Sequence, residues 1–238
     1  MEIPTVRTEL YREDRTSFAQ QIGTALTTVE VFQIDGLNQP QVDELYAMSE
    51  EVFDRYLHTF KEGDHLPAEY RYERIRGNNY LHYQQTLVLT SPNLIMGNQR
   101  FKYLAKRVMD NFAEIYQEIA VGLNLFLTDS HHNPISVAGA TEDPIIVRYL
   151  SGQEREDRNE DVTLVKEHCD GRKITLSPKA TKPGLEGFIN DEWVPLSPES
   201  GHVLVFAGDP LKKKIKPLVH RVRVHFPFTE SRTALVYG

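Results

Sequence analysis

The C-terminal third of the chain carries side chains that could hold one metal ion. His168 and Asp170 are separated by Cys169, and His220 lies in a later β-type segment. Successive side chains of a strand point to opposite faces, so a strand would place His168 and Asp170 on the same side. Two imidazoles and one carboxylate on one face of an octahedron leave positions open for a chelating organic acid and for dioxygen. The spacing therefore predicts a ferrous site of His168, Asp170 and His220, although a chance placement of three common residues on strands is the alternative.

Arg232, in the run Arg232-Thr233-Ala234, is the candidate for binding that organic acid. A guanidinium pairs with a carboxylate through two parallel hydrogen bonds, which the point charge of a lysine cannot do. The alternative is that Arg232 forms an ordinary surface ion pair.

Short β-type segments separated by turn residues surround these candidates. This pattern over the last hundred residues predicts a sandwich, a barrel or a jelly roll. The predicted segments are Ile145–Leu150, Val162–Glu167, Lys173–Leu176, Leu185–Ile189, Trp193–Leu196, His202–Ala207, Leu218–Val224 and Thr233–Tyr237.

The first 125 residues are predicted to be mainly helical. Apolar residues recur at helical spacing from Phe18 to Leu26, from Val42 to Phe60 and from Phe101 to Leu123, with a short strand at Val29–Ile34. We expect the third helix to brace the back of a sheet and to close near Gly122 or Asn124.

Beyond these patterns, the chain resembles the isopenicillin-N-synthase-like branch of the 2-oxoglutarate- and iron-dependent oxygenases. The resemblance covers most of the chain and implies a single α+β oxygenase domain over 1–238. In it, a mainly helical region over 1–143 would brace a double-stranded β-helix (jelly roll) core over 144–238. The matching motifs are His168-Cys169-Asp170, Ile174-Thr175-Leu176, Gly184-Leu185-Glu186, Trp193-Val194-Pro195-Leu196, Val203-Leu204-Val205, Gly208-Asp209 and His220-Arg221-Val222.

The resemblance also implies how a co-substrate would bind. In that family an Arg-x-Ser pair holds the distal carboxylate of 2-oxoglutarate, and a tyrosine assists; Arg232 and Tyr149 match these positions. The serine is replaced by Ala234, and an asparagine two residues before the tyrosine is replaced by Val147. The implied cofactors are Fe(II), 2-oxoglutarate and dioxygen, with ascorbate as a further candidate reductant.

A segment dense in arginine and tyrosine, 70–83, could line the mouth of such a site. Arg74, Arg76 and Tyr80 lie in it, and Arg172 follows Asp170 by two residues. On a regular strand Arg172 would face the metal, so these residues predict a small polar substrate carrying a carboxylate. The alternative for the segment is an exposed strand with a turn at Gly77-Asn78.

The charge and apolar content of the chain limit the kinds of partner that it could bind. The chain has 238 residues with 27 basic against 34 acidic side chains, a net charge of −7, and no apolar run of bilayer-spanning length. We therefore expect no nucleic-acid or membrane partner, and an acidic segment at 154–161 would repel polyanions. A single cysteine and no signal-like start predict a cytoplasmic protein. The oligomeric state is not predicted.

The leading interpretation is an Fe(II) oxygenase that couples decarboxylation of 2-oxoglutarate to hydroxylation, desaturation or cyclisation of a small metabolite. Two alternatives stay open. One is a 2-oxoglutarate-independent Fe(II) oxidase of the same fold, favoured by the missing serine and asparagine. The other is a non-catalytic jelly-roll binding protein.

Overall fold

The structure is a computed structural model that describes residues 2–59, 70–76, 81–89, 98–128, 144–151, 162–224 and 230–238. Within these ranges the helices are α1 (Thr8–Glu13), α2 (Arg15–Thr28), α3 (Gln39–Thr59) and α4 (Gln99–Thr128), with a 3₁₀ turn at Asp209–Leu211. The strands are β1 (Thr5–Val6), β2 (Val31–Ile34), β3 (Tyr70–Arg76), β4 (Leu81–Val88), β5 (Ile145–Ser151), β6 (Val162–His168), β7 (Ile174–Pro178), β8 (Leu185–Ile189), β9 (Glu192–Pro195), β10 (Val203–Ala207), β11 (His220–Val224) and β12 (Arg232–Val236).

The three predicted helices are present, and the third is longer than predicted. α2 begins after Asp14, whose carboxylate accepts hydrogen bonds from the backbone N–H groups of Thr16 and Ser17. The expectation that α4 closes near Gly122 or Asn124 is wrong, because the helix continues to Thr128. Gly122 serves close packing instead: a methyl group there would lie 2.6 Å from Ile22 Cδ1 of α2.

The eight strands from β5 to β12 pair in a nested order. β5 pairs with β12, β6 with β11, β7 with β10 and β8 with β9, all antiparallel. A further antiparallel pairing joins β11 to β8. The result is a four-stranded sheet of order β6-β11-β8-β9, which faces strands from two other four-stranded sheets, β12-β5-β4-β3 and β1-β2-β10-β7. A bridge between Leu176 and Tyr237 connects the last two sheets.

The N-terminal region is less purely helical than predicted. β3 and β4 form an antiparallel pair, and β4 continues the sheet by pairing with β5. The segment 70–76 is a strand, as the alternative required, but Tyr70 in it is buried, and the turn predicted at Gly77-Asn78 lies outside the described residues. Two strands from this region therefore extend the sheet that carries Arg232.

A buried arginine fixes α3 against the outer face of that sheet. Arg148 of β5 donates from Nη1 to Glu50 Oε2 at 2.7 Å and to Asp54 Oδ1 at 2.6 Å, and from Nε to Gln85 Oε1 at 2.7 Å. Thr233 of β12 also donates to Glu50. Because Thr233 and Arg148 face α3, their neighbours on the same strands face the opposite side of the sheet.

Apolar side chains fill the space on that opposite side. Val147 and Tyr149 of β5 form one buried cluster with Leu164, Val222 and Val224 of β6 and β11. The larger core lies between the helices and the sheets, where Phe18, Phe53 and Phe112 are fully buried. Among the described residues, none of the helices combines the length and hydropathy needed to cross a membrane.

Candidate metal centre

His168, Asp170 and His220 come together in the structure. Asp170 Oδ1 lies 3.5 Å from His168 Nε2 and 3.5 Å from His220 Nε2, and the two imidazole centroids are 4.3 Å apart. The three donor atoms lie within 4.8 Å of one another, and no other such group occurs among the described residues.

Strand pairing brings the histidines together, and a turn brings in the carboxylate. His220 and His168 are register partners in the β11–β6 pair. The expectation that a strand places both His168 and Asp170 is met only at His168, because β6 ends there. The turn after β6 is fixed by two backbone bonds, from Asp209 N–H to Asp170 O at 2.8 Å and from Gly208 N–H to Lys173 O at 3.0 Å.

Backbone carbonyls orient both imidazoles. His168 Nδ1–H donates to Lys166 O at 2.9 Å, and His220 Nδ1–H donates to Leu218 O at 3.2 Å. A carbonyl oxygen only accepts, so each neutral ring carries its proton on Nδ1. The Nε2 lone pairs, which face Asp170, are then available to a metal.

Thr175 of β7 binds the far oxygen of the carboxylate. Its hydroxyl donates to Asp170 Oδ2 at 2.5 Å, leaving Oδ1 directed toward the histidines. Burial alone would raise the pKa of Asp170, but the hydrogen bond with His168, the charge of His220 and the Thr175 bond lower it to about 2. Asp170 is therefore an anion at neutral pH.

The pKa values of the two histidines shift in opposite directions. When the ring is protonated, His168 can donate to Asp170, and this hydrogen bond raises the pKa of His168, whose side chain is 41% exposed. Burial lowers the pKa of His220, whose side chain is only 7% exposed and packs against Phe206 at a centroid distance of 5.0 Å. The centre thus has one buried wall at His220 and one open side at His168.

The donor set fits a divalent first-row metal. Bonds from imidazole nitrogen or carboxylate oxygen to such an ion are about 2.0–2.2 Å, and Asp170 Oδ1 lies 3.5 Å from each Nε2, so one ion could bind Oδ1 together with either histidine. Two imidazoles with one carboxylate are typical of Fe(II) sites that keep positions open. Orientation of all three donors by hydrogen bonds is the arrangement expected around bound metal.

Arg232 is buried on the inner face of the β12–β5 pair. It is 4% exposed, donates from Nε to Pro183 O at 3.2 Å, and places Cζ 5.8 Å from the ring centre of Tyr149. Among the described residues no carboxylate pairs with it, so the surface ion pair considered above is not found. Burial lowers the pKa of Arg232, but a guanidinium keeps its charge at neutral pH.

The charges of Arg232 and Asp170 both act on Tyr149. Burial raises its pKa, Arg232 lowers it and Asp170 raises it. The two residues that replace family polar groups, Val147 and Ala234, are themselves cross-strand partners and both are buried. The two positions that carry polar groups in the family are thus apolar and buried here.

The predicted substrate residues are only partly described. Arg74 and Arg76 belong to β3, but their side chains, like all of Tyr80 and the acidic segment 154–161, lie outside the described residues. Arg172 is buried in the bend after Asp170, so the expectation of a regular strand at this position is wrong. A methyl group added at Gly238 would lie 2.8 Å from Arg172 Cδ, so Arg172 packs beside the last residue.

Sequence reasoning gave no role to Thr175, which binds Asp170, or to Gln84, which lies on the strand beside Tyr149. Thr175 enters the sequence argument only as part of a matching motif, yet a hydroxyl between Ile174 and Leu176 is a polar break in an apolar strand. Gln84 of β4 is the register partner of Tyr149, which is itself the partner of Arg232. Strand alternation would have revealed Gln84 only once β4 had been recognised.

Comparison with known proteins gives structural matches only: no family model and no curated protein sequence matches the chain. AtDAO1, a dioxygenase for auxin oxidation from Arabidopsis thaliana in complex with 2-oxoglutarate, aligns with a TM-score of 0.72 and 14% identity over 99% of this chain and 91% of its own. A full-length Neurospora crassa protein in complex with alpha-KG, called the Neurospora neighbour below, aligns at 0.62 and 19% over 99% and 83%. The rice dioxygenase for auxin oxidation aligns at 0.63 and 14% over 99% and 82%. At these identities the likeness establishes the mixed helix-and-sheet fold that the chain shares with these proteins.

Proposed function

We propose that this chain is an Fe(II)- and 2-oxoglutarate-dependent oxygenase acting on a small polar molecule. The overall reaction would convert substrate R–H, dioxygen and 2-oxoglutarate to R–OH, succinate and carbon dioxide. Hydroxylation is the default outcome, with desaturation or cyclisation as variants. Iron, when bound, supplies the activation of dioxygen that the side chains cannot perform.

One observation carries the proposal: the buried guanidinium of Arg232 has no carboxylate partner among the described residues, and its charge acts on the same phenol, Tyr149, as the charge of the metal-donor candidate Asp170. A buried charge costs several kcal/mol unless it is paired. Arg232 therefore supports a site for an anionic ligand that also reaches His168, Asp170 and His220. A 2-oxo acid with a distal carboxylate meets both requirements. AtDAO1 was solved with 2-oxoglutarate and the Neurospora neighbour with alpha-KG, which supports the same choice here.

The side chains of this protein would bind and orient the co-substrate and the metal, and would exclude water from the space between them. Arg232 would hold the distal carboxylate through charge-assisted hydrogen bonds, with Tyr149 beside it. His168, Asp170 and His220 would hold the metal in the orientation set by their hydrogen bonds. The apolar cluster around Val147 would exclude water from the space between the two ends.

The nested strand pairing supports a double-stranded β-helix core. Counting from β5, the first strand pairs with the eighth, the second with the seventh, the third with the sixth and the fourth with the fifth. That order is what a jelly roll requires. Assignment to the isopenicillin-N-synthase-like branch rests on the sequence motifs alone and is part of the proposal.

A second candidate is an Fe(II) oxidase of this fold that does not consume 2-oxoglutarate. The paired replacements Val147 and Ala234 favour it, since both remove polar groups beside Arg232. Arg232 itself opposes it. A non-catalytic binding protein would need neither an oriented donor trio nor a buried cation.

Fewer observations bear on the class of substrate. The Neurospora neighbour was also solved in complex with thymine, an uncharged small molecule, which supports a small-molecule substrate here but not a carboxylate on it. The expectation of an anionic group remains a proposal based on Arg74, Arg76, Tyr80 and Arg172. Replacement of Arg74 by Ala should weaken substrate-coupled turnover and leave slow uncoupled 2-oxoglutarate consumption intact.

The deciding experiment is a succinate and oxygen-consumption assay on iron-loaded protein with 2-oxoglutarate and a panel of small metabolites. The proposal expects one succinate for each dioxygen consumed. Substrate oxidation without succinate would select the oxidase. Metal binding with neither oxygen uptake nor succinate formation, across the panel, would select the binding protein.

A further inference from the structure

We propose that Thr175 is a positioning residue that selects which oxygen of Asp170 is presented to the metal. The inference rests on the proposed function, because it assumes that His168, Asp170 and His220 bind a metal ion. Thr175, a residue of strand β7, would then also control how Asp170 coordinates the metal.

The Thr175 hydroxyl contacts Asp170 directly, and burial and strand pairing hold Thr175 in position. The Thr175 hydroxyl donates to Asp170 Oδ2 at 2.5 Å, whereas Oδ1 lies 3.5 Å from both Nε2 atoms. Thr175 is 1% exposed, and its backbone pairs with Phe206 of β10. A β-branched side chain on a strand has little rotational freedom, so the hydroxyl is held in place.

Without this bond the two carboxylate oxygens would be nearly equivalent. The terminal torsion of an aspartate is broad and roughly twofold, so either oxygen could turn to the histidines. A carboxylate can also bind a metal through both oxygens. A second bond from Asp170 would occupy a position that the co-substrate or dioxygen needs. The Thr175 hydroxyl prevents this by binding Oδ2.

The matched variants are Thr175→Val and Thr175→Ser. Valine keeps the branched shape and removes the hydroxyl, whereas serine keeps the hydroxyl. Ser177→Ala is the control, because Ser177 lies two residues along β7, on the same face, and donates to Leu235 O at 3.4 Å, away from the metal donors.

The measurements use the metal-free 238-residue chain titrated with Co²⁺. Calorimetry gives the affinity, the visible spectrum of bound Co²⁺ reports its coordination, and melting with and without metal gives the metal-induced rise in Tm. Loss of a group that orients a ligand weakens metal binding by about 10–100-fold. We expect that loss and an altered spectrum in Thr175→Val, with Thr175→Ser and Ser177→Ala close to wild type.

A purely structural role would lower the Tm of metal-free Thr175→Val and leave the metal-induced rise unchanged, and that result would overturn the inference. Equal losses of affinity in Thr175→Val and Ser177→Ala would do the same. If the valine variant does not fold, Thr175→Ala carries the same expectation. Failure of the wild-type chain to bind Co²⁺ would overturn the proposed function as well.

Discussion

Arg232 and Tyr149 are direct cross-strand partners in the β12–β5 pair, with Arg232 Cζ 5.8 Å from the centre of the tyrosine ring. Both are buried, and the charge of Asp170 also acts on the phenol. The pair thus links the proposed anion-binding residue to the proposed metal ligands through the charges that act on Tyr149. The first two predictions test the metal ligands and the anion-binding residue separately.

At the metal end, His220→Ala should abolish most Fe(II) or Co²⁺ binding and all turnover. The variant removes one of the three donors in the only such group found among the described residues. Calorimetry and metal analysis measure the loss. His202→Ala is the control, because His202 bonds to Ser200 O and lies outside the donor group. Full metal binding in His220→Ala would remove the basis of the assigned centre.

At the anion end, Arg232→Ala should raise the 2-oxoglutarate concentration needed for half-maximal turnover by well over tenfold. Truncating one partner of a buried charge pair costs about 2–5 kcal/mol. Co²⁺ affinity in the absence of 2-oxoglutarate should stay near wild type. The exposed Arg100→Ala, on α4, should change neither quantity. An unchanged 2-oxoglutarate requirement in Arg232→Ala would favour the oxidase.

Gly208→Ala should weaken metal binding by displacing the backbone of the turn that carries Asp170. A methyl group at Gly208 would lie 2.0 Å from Arg172 O and 2.6 Å from Asp170 O, so the turn that carries Asp170 must move. Overpacking of this kind destabilises by about 1–3 kcal/mol. Denaturant melts and Co²⁺ titration measure both effects.

Gly201→Ala is the control for Gly208→Ala, because it introduces backbone strain without displacing the turn that carries Asp170. Gly201 has φ +81°, where alanine is strained, but the nearest atom to an added methyl group is Leu37 O at 3.8 Å. The variant should lose about 1 kcal/mol of stability and keep its metal affinity. Equal metal affinities in Gly208→Ala and Gly201→Ala would contradict the role given to Gly208.

The adjacent residues Gln84 and Gln85 should give opposite phenotypes. Gln85 bonds Arg148 Nε at 2.7 Å and Tyr70 OH at 2.6 Å under α3, so Gln85→Ala should destabilise by about 1–3 kcal/mol. Gln84 faces the other side, beside Tyr149 and half-exposed. Gln84→Ala should leave the free energy of unfolding near wild type and reduce substrate-coupled turnover. A stability loss in Gln84→Ala equal to that in Gln85→Ala would contradict this assignment.

Sequence pattern predicted the regular parts of this site and missed the irregular ones. Alternation and turn residues located all eight strands from β5 to β12 within about two residues, because each half-buried strand repeats its pattern locally. The same reasoning could not show that β6 ends at His168 and that a turn delivers Asp170, since that turn is held by Gly208 and Asp209, distant in sequence. The β3–β4 pair was harder to predict, because charged side chains obscure its alternation.

The nested strand order has a consequence for how the protein folds. β8 and β9 are joined by a tight turn at Asn190 and Asp191, both with positive φ, as in type I′ hairpins that form readily. Each pairing outward from that hairpin encloses a longer stretch of chain, and the entropy of closing a loop grows with its length. The β6–β11 pair, which unites His168 with His220, should therefore close before the β5–β12 pair, which unites Tyr149 with Arg232. In a refolding experiment, Co²⁺ binding should be acquired earlier than the ability to retain a 2-oxo acid.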